Sequence, residues 1–165
     1  MFKYLCVALA LALGAEAYSS GAPESACKDM IPRHPVDAQK SPAPYVVTTS
    51  SKVVKAGEQI QVTVTGKLPS DTVRGLMMQA RAGDKPVGTF TIDSTNKLVR
   101  LMKCDNNGDT VTHKKHDATD DKQSVTLTWT APKNFNEIVK FRATIALNGA
   151  VFWVGVESAP VKITP

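Results

Sequence analysis

Apolar and polar residues alternate with a period of two through most of the chain beyond position 45, and this constrains the fold more than any other feature. Ile60, Val62 and Val64 alternate with Gln61, Thr63 and Thr65, and Val125, Leu127 and Trp129 alternate with Thr126, Thr128 and Thr130. Residues 139–147 repeat the pattern. Successive side chains of a strand point to opposite faces, so this is the signature of strands with one buried face. Gly57, Gly66 with Pro69, Gly83 with Pro86, Asn106-Asn107-Gly108 and Pro132 punctuate the runs. Asn148-Gly149 predicts a two-residue type I′ hairpin between 138–147 and 151–156. The whole predicts an all-β fold, an antiparallel β-sandwich of eight or nine strands. Trp129 and Trp153 lie on the inward phase and are expected in the core. Residues 105–122 are polar without alternation and read as a long exposed loop or ragged edge. Residues 18–44 carry five prolines, which block helix interiors and central strands, and read as an extended N-terminal arm.

The first seventeen residues set the expected compartment. Lys3 precedes an uncharged, mostly apolar run over 5–14, and small residues stand at Ala15 and Ala17. That is the pattern of a secretory signal peptide cleaved after Ala17. The run is too short to span a bilayer, which takes roughly 20 apolar residues. Cys6 leaves with the leader, so Cys27 and Cys104 remain, 77 positions apart. An even count in an oxidising compartment reads as one disulfide, with two free thiols or an intermolecular link as the alternatives.

Removing 17 of 165 residues leaves 148, one domain of ordinary size, expected as residues 18–165. Lys3 and Glu16 are lost together, so the net charge stays at +5. A modest positive charge favours anionic partners without choosing among them. The densest basic stretch holds Lys97, Arg100, Lys103, Lys114 and Lys115 against Asp105 and Asp109, and these five are the candidate contacts for an anionic ligand. No Asn-x-Ser/Thr acceptor is present, and no second long apolar run or hydrophobic tail follows the leader. A free, unglycosylated, secreted domain without a membrane span is expected.

Motifs for chemistry are thin. His113-Lys114-Lys115-His116 with Asp117, Asp120 and Asp121 could in principle hold a divalent metal, but two lysines inside the run repel a cation and a solvated loop is the better reading. Asp105-Asn106-Asn107-Gly108-Asp109 starts like a calcium loop, yet Gly falls fourth and the twelfth residue is His116. An EF-hand needs Gly sixth and Glu twelfth; an Asx-rich turn beside a disulfide fits better. No nucleophile elbow or phosphate-binding glycine loop exists, so neither an enzyme nor a cofactor is expected.

Several short motifs in order carry a resemblance. They are Gly21-Ala22-Pro23 before Cys27, Met30-Ile31-Pro32-Arg33-His34, Gly75-Leu76-Met77-Met78-Gln79-Ala80-Arg81, Cys104 and Val111-Thr112-His113. Trp129-Thr130-Ala131-Pro132, Phe141-Arg142-Ala143-Thr144 and Phe152-Trp153-Val154 complete the set. The chain resembles a reeler domain, and among these the short, secreted, noduler-like insect defence group. The resemblance implies an immunoglobulin-like β-sandwich, a Cys27–Cys104 bridge, secretion into haemolymph and a role in innate immunity. Its implied partners are microbial envelope components (lipopolysaccharide, lipoteichoic acid or glucan) and haemocytes, not nucleic acid. Binding followed by aggregation or opsonisation is the implied antibacterial mechanism. An extracellular matrix or adhesion module that binds sulfated glycans is the alternative.

Overall fold

A computed structural model of the protein describes residues 19–165, so the signal-peptide expectation over 1–17 falls outside the described residues. Twelve strands form two sheets, as an all-β sandwich requires. The smaller sheet has the order β1 (Tyr45–Thr49), β3 (Gln59–Gly66), β9 (Ser124–Thr130), β6 (Thr89–Thr91). The larger runs β2 (Val53–Lys55), β12 (Val161–Thr164), β10 (Ile138–Ala146), β4 (Gly75–Ala82), β8 (Thr110–His113), β7 (Val99–Met102). β11 (Phe152–Glu157) pairs with β10, and β5 (Lys85–Pro86) pairs with β4. Three of the twelve, β2, β5 and β6, are only two or three residues long, which leaves nine of four residues or more, within the eight or nine that the alternation predicts. Every pairing is antiparallel except β12 with β2, which is parallel.

Between the sheets the alternating residues meet. Val62, Val64, Leu127 and Trp129 from the smaller sheet pack against Met78, Ala80, Phe141 and Ile145 from the larger, all nearly or fully buried. Trp129 stands edge-on to Phe141 with ring centroids 5.1 Å apart, and its indole N–H donates to the Val87 carbonyl at 3.0 Å. Trp153 is buried too, edge-on to Tyr45 at 5.8 Å. Both tryptophans are core residues, as their phase in the alternation predicts.

Two local expectations are corrected. The β10–β11 hairpin exists, but its turn is wider than two residues. Leu147 N–H donates to Val151 O, and the Asn148 side chain accepts from the N–H groups of Ala150 and Val151. Neither Asn148 nor Gly149 has the positive φ of a type I′ turn. Asn148 acts through its side chain, closing an Asx turn. The second correction is larger. Residues 105–122 are not one exposed loop: they contain β8, which lies between β4 and β7 and whose Thr110, Val111 and Thr112 are fully buried. Threonine hydroxyls can enter a buried face when they find partners there, and these do.

Thr110 finds its partners in Gln79 of β4 and in Asp109, and the N-terminal arm supplies that of Thr112. The arm enters through a short 3-10 helix, Glu24–Ala26, and lies across the outer face of the larger sheet. Cys27 is joined to Cys104, with Cα atoms 5.5 Å apart. Three successive outward positions of β4 each hold part of the arm. Met77 packs with Ala26 and Met30; the Gln79 amide donates to Cys27 O at 3.2 Å; the Arg81 guanidinium donates to Lys28 O at 2.7 Å. Ala22 N–H donates to the Thr112 hydroxyl at 2.7 Å, and the Thr144 hydroxyl of β10 donates to Met30 O at 2.6 Å. Met30 is fully buried with φ 58°, a left-handed conformation a methionine adopts only when its surroundings impose it.

Candidate functional site

Where the arm crosses the end of the larger sheet it leaves a cavity of about 480 Å³. Its floor comes from the start of β4 (Gly75, Leu76, Met77) and the end of β10 (Thr144, Ala146). Gly75 permits the close approach of these strands, since a side chain there would place its Cβ 3.0 Å from that of Ala146. Ala22, Pro23, Ala26 and Met30 of the arm form one wall, and Leu147 in the β10–β11 turn forms another. Arg74, Lys114 and Lys115 stand at the lining with His34, His113 and His116. All three histidines of the chain converge here.

The segment that carries the lysines is largely exposed but held at one point. His116 has the Lys114 carbonyl 2.7 Å from Nδ1 and the Asp121 carboxylate 2.7 Å from Nε2. The side chains of that pair are only 4% and 9% exposed. The expectation of a solvated loop at 113–121 holds for Lys115 and for residues 117–119, and is corrected at His116 and Asp121, whose inward pair anchors residues 114–116 beside the cavity. His113 sits over β4, its Nδ1 accepting from Leu76 N–H at 3.3 Å. His34 lies edge-on to Phe152 at 4.9 Å, with its Nδ1 buried and without a hydrogen-bond partner. Burial, and then repulsion from His113, hold the His34 imidazole below the ordinary histidine range. Among the described residues no group of three His, Cys, Asp or Glu is placed to hold a metal ion.

Of the five basic residues singled out by sequence, the fold brings Lys114 and Lys115 to the cavity and leaves the others elsewhere. Lys97 and Lys103 are exposed at the two ends of β7. Arg100 leans on the arm, donating to Ser20 O at 3.3 Å. Asp109, counted against them, is fully buried: its carboxylate accepts from the backbone N–H groups of Cys104, Asp105 and Asn106 and from the Thr110 hydroxyl. That is the Asx-rich turn beside the disulfide. Arg74 and the three histidines were not among the expected contacts. Arg74 comes from another part of the chain, and only the pairing of β4 with β8 reveals that it neighbours Lys114 and Lys115.

A chain built in this way has close relatives. The sequence model described as the Reeler domain matches residues 25–165. The chain is 57% identical over 162 residues to "Putative defense protein Hdd11" of Hyphantria cunea, covering 98% of this chain and 96% of that one. It is 45% identical over 167 residues to the "Putative defense protein" of Bombyx mori, covering 99% and 98%. Among solved structures it resembles the Reelin-N domain of F-spondin, with a TM-score of 0.62 at 16% identity over 78% of this chain and 92% of that one. That likeness concerns the fold alone. Among the described residues no helix is long and apolar enough to cross a membrane.

Proposed function

The chain belongs to the reeler domain family, and on that footing we propose that it is a secreted innate-immune protein that binds anionic components of microbial envelopes. It acts by aggregation or opsonisation and has no catalysis of its own. Relatives that carry the name of defence proteins over nearly their full length support a role in defence. The observation that carries the finer reading is the convergence of Arg74, Lys114 and Lys115 on one cavity, from segments some forty residues apart. Cations brought together from two segments make a local positive field, where scattered surface lysines make only a solvated coat.

The test is retention of purified chain on whole bacteria, lipopolysaccharide, lipoteichoic acid, glucan and heparin, at low and high salt. The wild type is expected on bacteria and on at least one envelope component, more weakly at high salt because exposed charges are screened beyond about 8 Å at physiological ionic strength. The triple variant Arg74→Gln, Lys114→Gln, Lys115→Gln should lose most of that retention. The pair Lys97→Gln, Lys103→Gln should not. Neither should change stability by more than about 0.5 kcal/mol, since exposed charges contribute little to the fold. Retention on heparin alone overturns the envelope reading in favour of a matrix or adhesion module.

A further inference from the structure

The cavity itself says more about its ligand than the charges at its lining do. Its interior is apolar: Ala22, Pro23, Ala146 and Leu147 present carbon surface, with Ala26, Met30 and Met77 buried directly behind it. The polar groups nearest to it are already engaged. The Thr144 hydroxyl is bonded to Met30 O, the Thr112 hydroxyl receives Ala22 N–H, and His116 is held by Lys114 O and Asp121. A sugar placed in the apolar interior would bury hydroxyls without partners, which is costly. The lining still carries polarity at its rim, where the cationic groups of Arg74, Lys114 and Lys115 stand with Ser19 and Asn148. Carbon surface within and positive charge beside it match an anionic amphiphile.

We propose that this cavity is an acyl-chain site: it takes a single medium-length saturated chain, with a carboxylate or phosphate head held by Arg74, Lys114 and Lys115. The volume of about 480 Å³ lies within the range of roughly 300–1,000 Å³ for small-molecule sites. Met30 and Met77 suit the role, since unbranched thioether side chains adapt to chains of different length. The proposal deepens the envelope-binding reading and rests on it for its biological setting, but the site's chemistry is tested separately.

The experiment is calorimetric titration of the full secreted chain with hexanoate, octanoate, decanoate, dodecanoate, dodecyl phosphate and dodecanol, each below its aggregation threshold. Binding should tighten about fourfold per added methylene until the cavity is filled. Dodecanol should bind at least tenfold more weakly than dodecanoate, and the Arg74/Lys114/Lys115→Gln variant should erase that difference. Tighter binding of dodecyl phosphate than of dodecanoate would identify the head as a lipid phosphate, and the reverse a free fatty acid; both support the site. Ala146→Trp fills the floor and should abolish dodecanoate binding. If that variant does not fold, Ala22→Leu narrows the cavity from the arm and should weaken binding at least tenfold. Affinity independent of chain length overturns the proposal, as does wild-type affinity in a folded Ala146→Trp. Retention on bacteria without dodecanoate binding removes the acyl site and leaves the envelope reading standing. Dodecanoate binding without retention on bacteria does the opposite.

Discussion

The two sheets of this sandwich differ in what lies on their outer faces. On the smaller sheet the outer face meets solvent, and small hydroxyl pairs bridge its strands: Thr63 with Thr126 at 3.0 Å, Thr65 with Ser124 at 2.9 Å. Its strands β3 and β9 therefore alternate cleanly between exposed and buried. On the larger sheet the arm covers the corresponding face. β4 is buried at seven of its eight positions, and β8 at three of four. Alternation thus reports whether a sheet face is wet, not whether a segment is a strand. The arm is part of the domain's architecture: it closes a face that would otherwise expose Met77 beside a row of threonines.

The largest effect should come from a residue the two sheets share. Trp129 is fully buried, bonded through its indole N–H and stacked edge-on against Phe141 across the interface. Trp129→Ala should cost about 3–5 kcal/mol, the usual range for truncating a buried aromatic. Urea unfolding followed by circular dichroism measures it. Hydrogen exchange should then rise in both sheets together. A loss confined to β3 and β9 would mean that the sheets are not one cooperative core.

Removing the bridge should separate the regions. Cys104→Ala should cost about 2–5 kcal/mol, as loss of a native disulfide commonly does. The alanine also removes the tie between Cys27 and the turn built on Asp109. Limited proteolysis should begin within residues 19–44 and hydrogen exchange should rise at Met77, Gln79 and Thr112, while β3 and β9 stay protected. Equal loosening of both sheets would show that the arm is not a separate layer.

Much of this fold can be read from the sequence, and the residues that cannot share one cause. Residues 59–66 and 124–130 show their strands because each has a wet face, and 139–146 shows its own through Lys140 and Arg142, before Thr144 passes under the arm. Both tryptophans are placed in the core by phase alone. β8 reads as a loop because Thr110 and Thr112 are polar, and their burial depends on hydrogen bonds to Gln79 and Ala22, 31 and 90 positions away in the chain. The candidate site follows the same rule. Lys114 and Lys115 are visible as part of a basic run, whereas Arg74 and His34 join them only through strand pairing and the path of the arm. Long-range contacts leave no local period to read.

The smallest expected effect concerns pH and again divides the two regions, because none of the three histidines lies in the smaller sheet. Burial, and then the neighbouring His113, disfavour the charged form of His34. Arg74, Lys114 and Lys115 face the same cavity and add positive charge, and the Asp121 carboxylate is taken up by His116. A histidine whose folded value lies below its unfolded value of about 6.5 binds more protons when unfolded. Its neutral form suits the fold, so stability is full above about pH 6.5 and declines as the pH falls through that value. The decline levels off once folded His34 is protonated as well. Glu157 acts in a different window. Burial pushes its carboxyl up, but bonds from Arg142 at 2.7 Å and Lys140 at 3.1 Å outweigh that, so its value is lowered overall. Its contribution persists above the ordinary carboxylate value and fades only below it. Between pH 7.5 and 5.5, thermal unfolding should therefore shift down by less than Cys104→Ala shifts it, with hydrogen exchange rising in the arm and not in β3 or β9. His34→Gln should flatten that dependence. A dependence unchanged in the variant would show that the arm's hold on the sheet does not involve the charge state of His34.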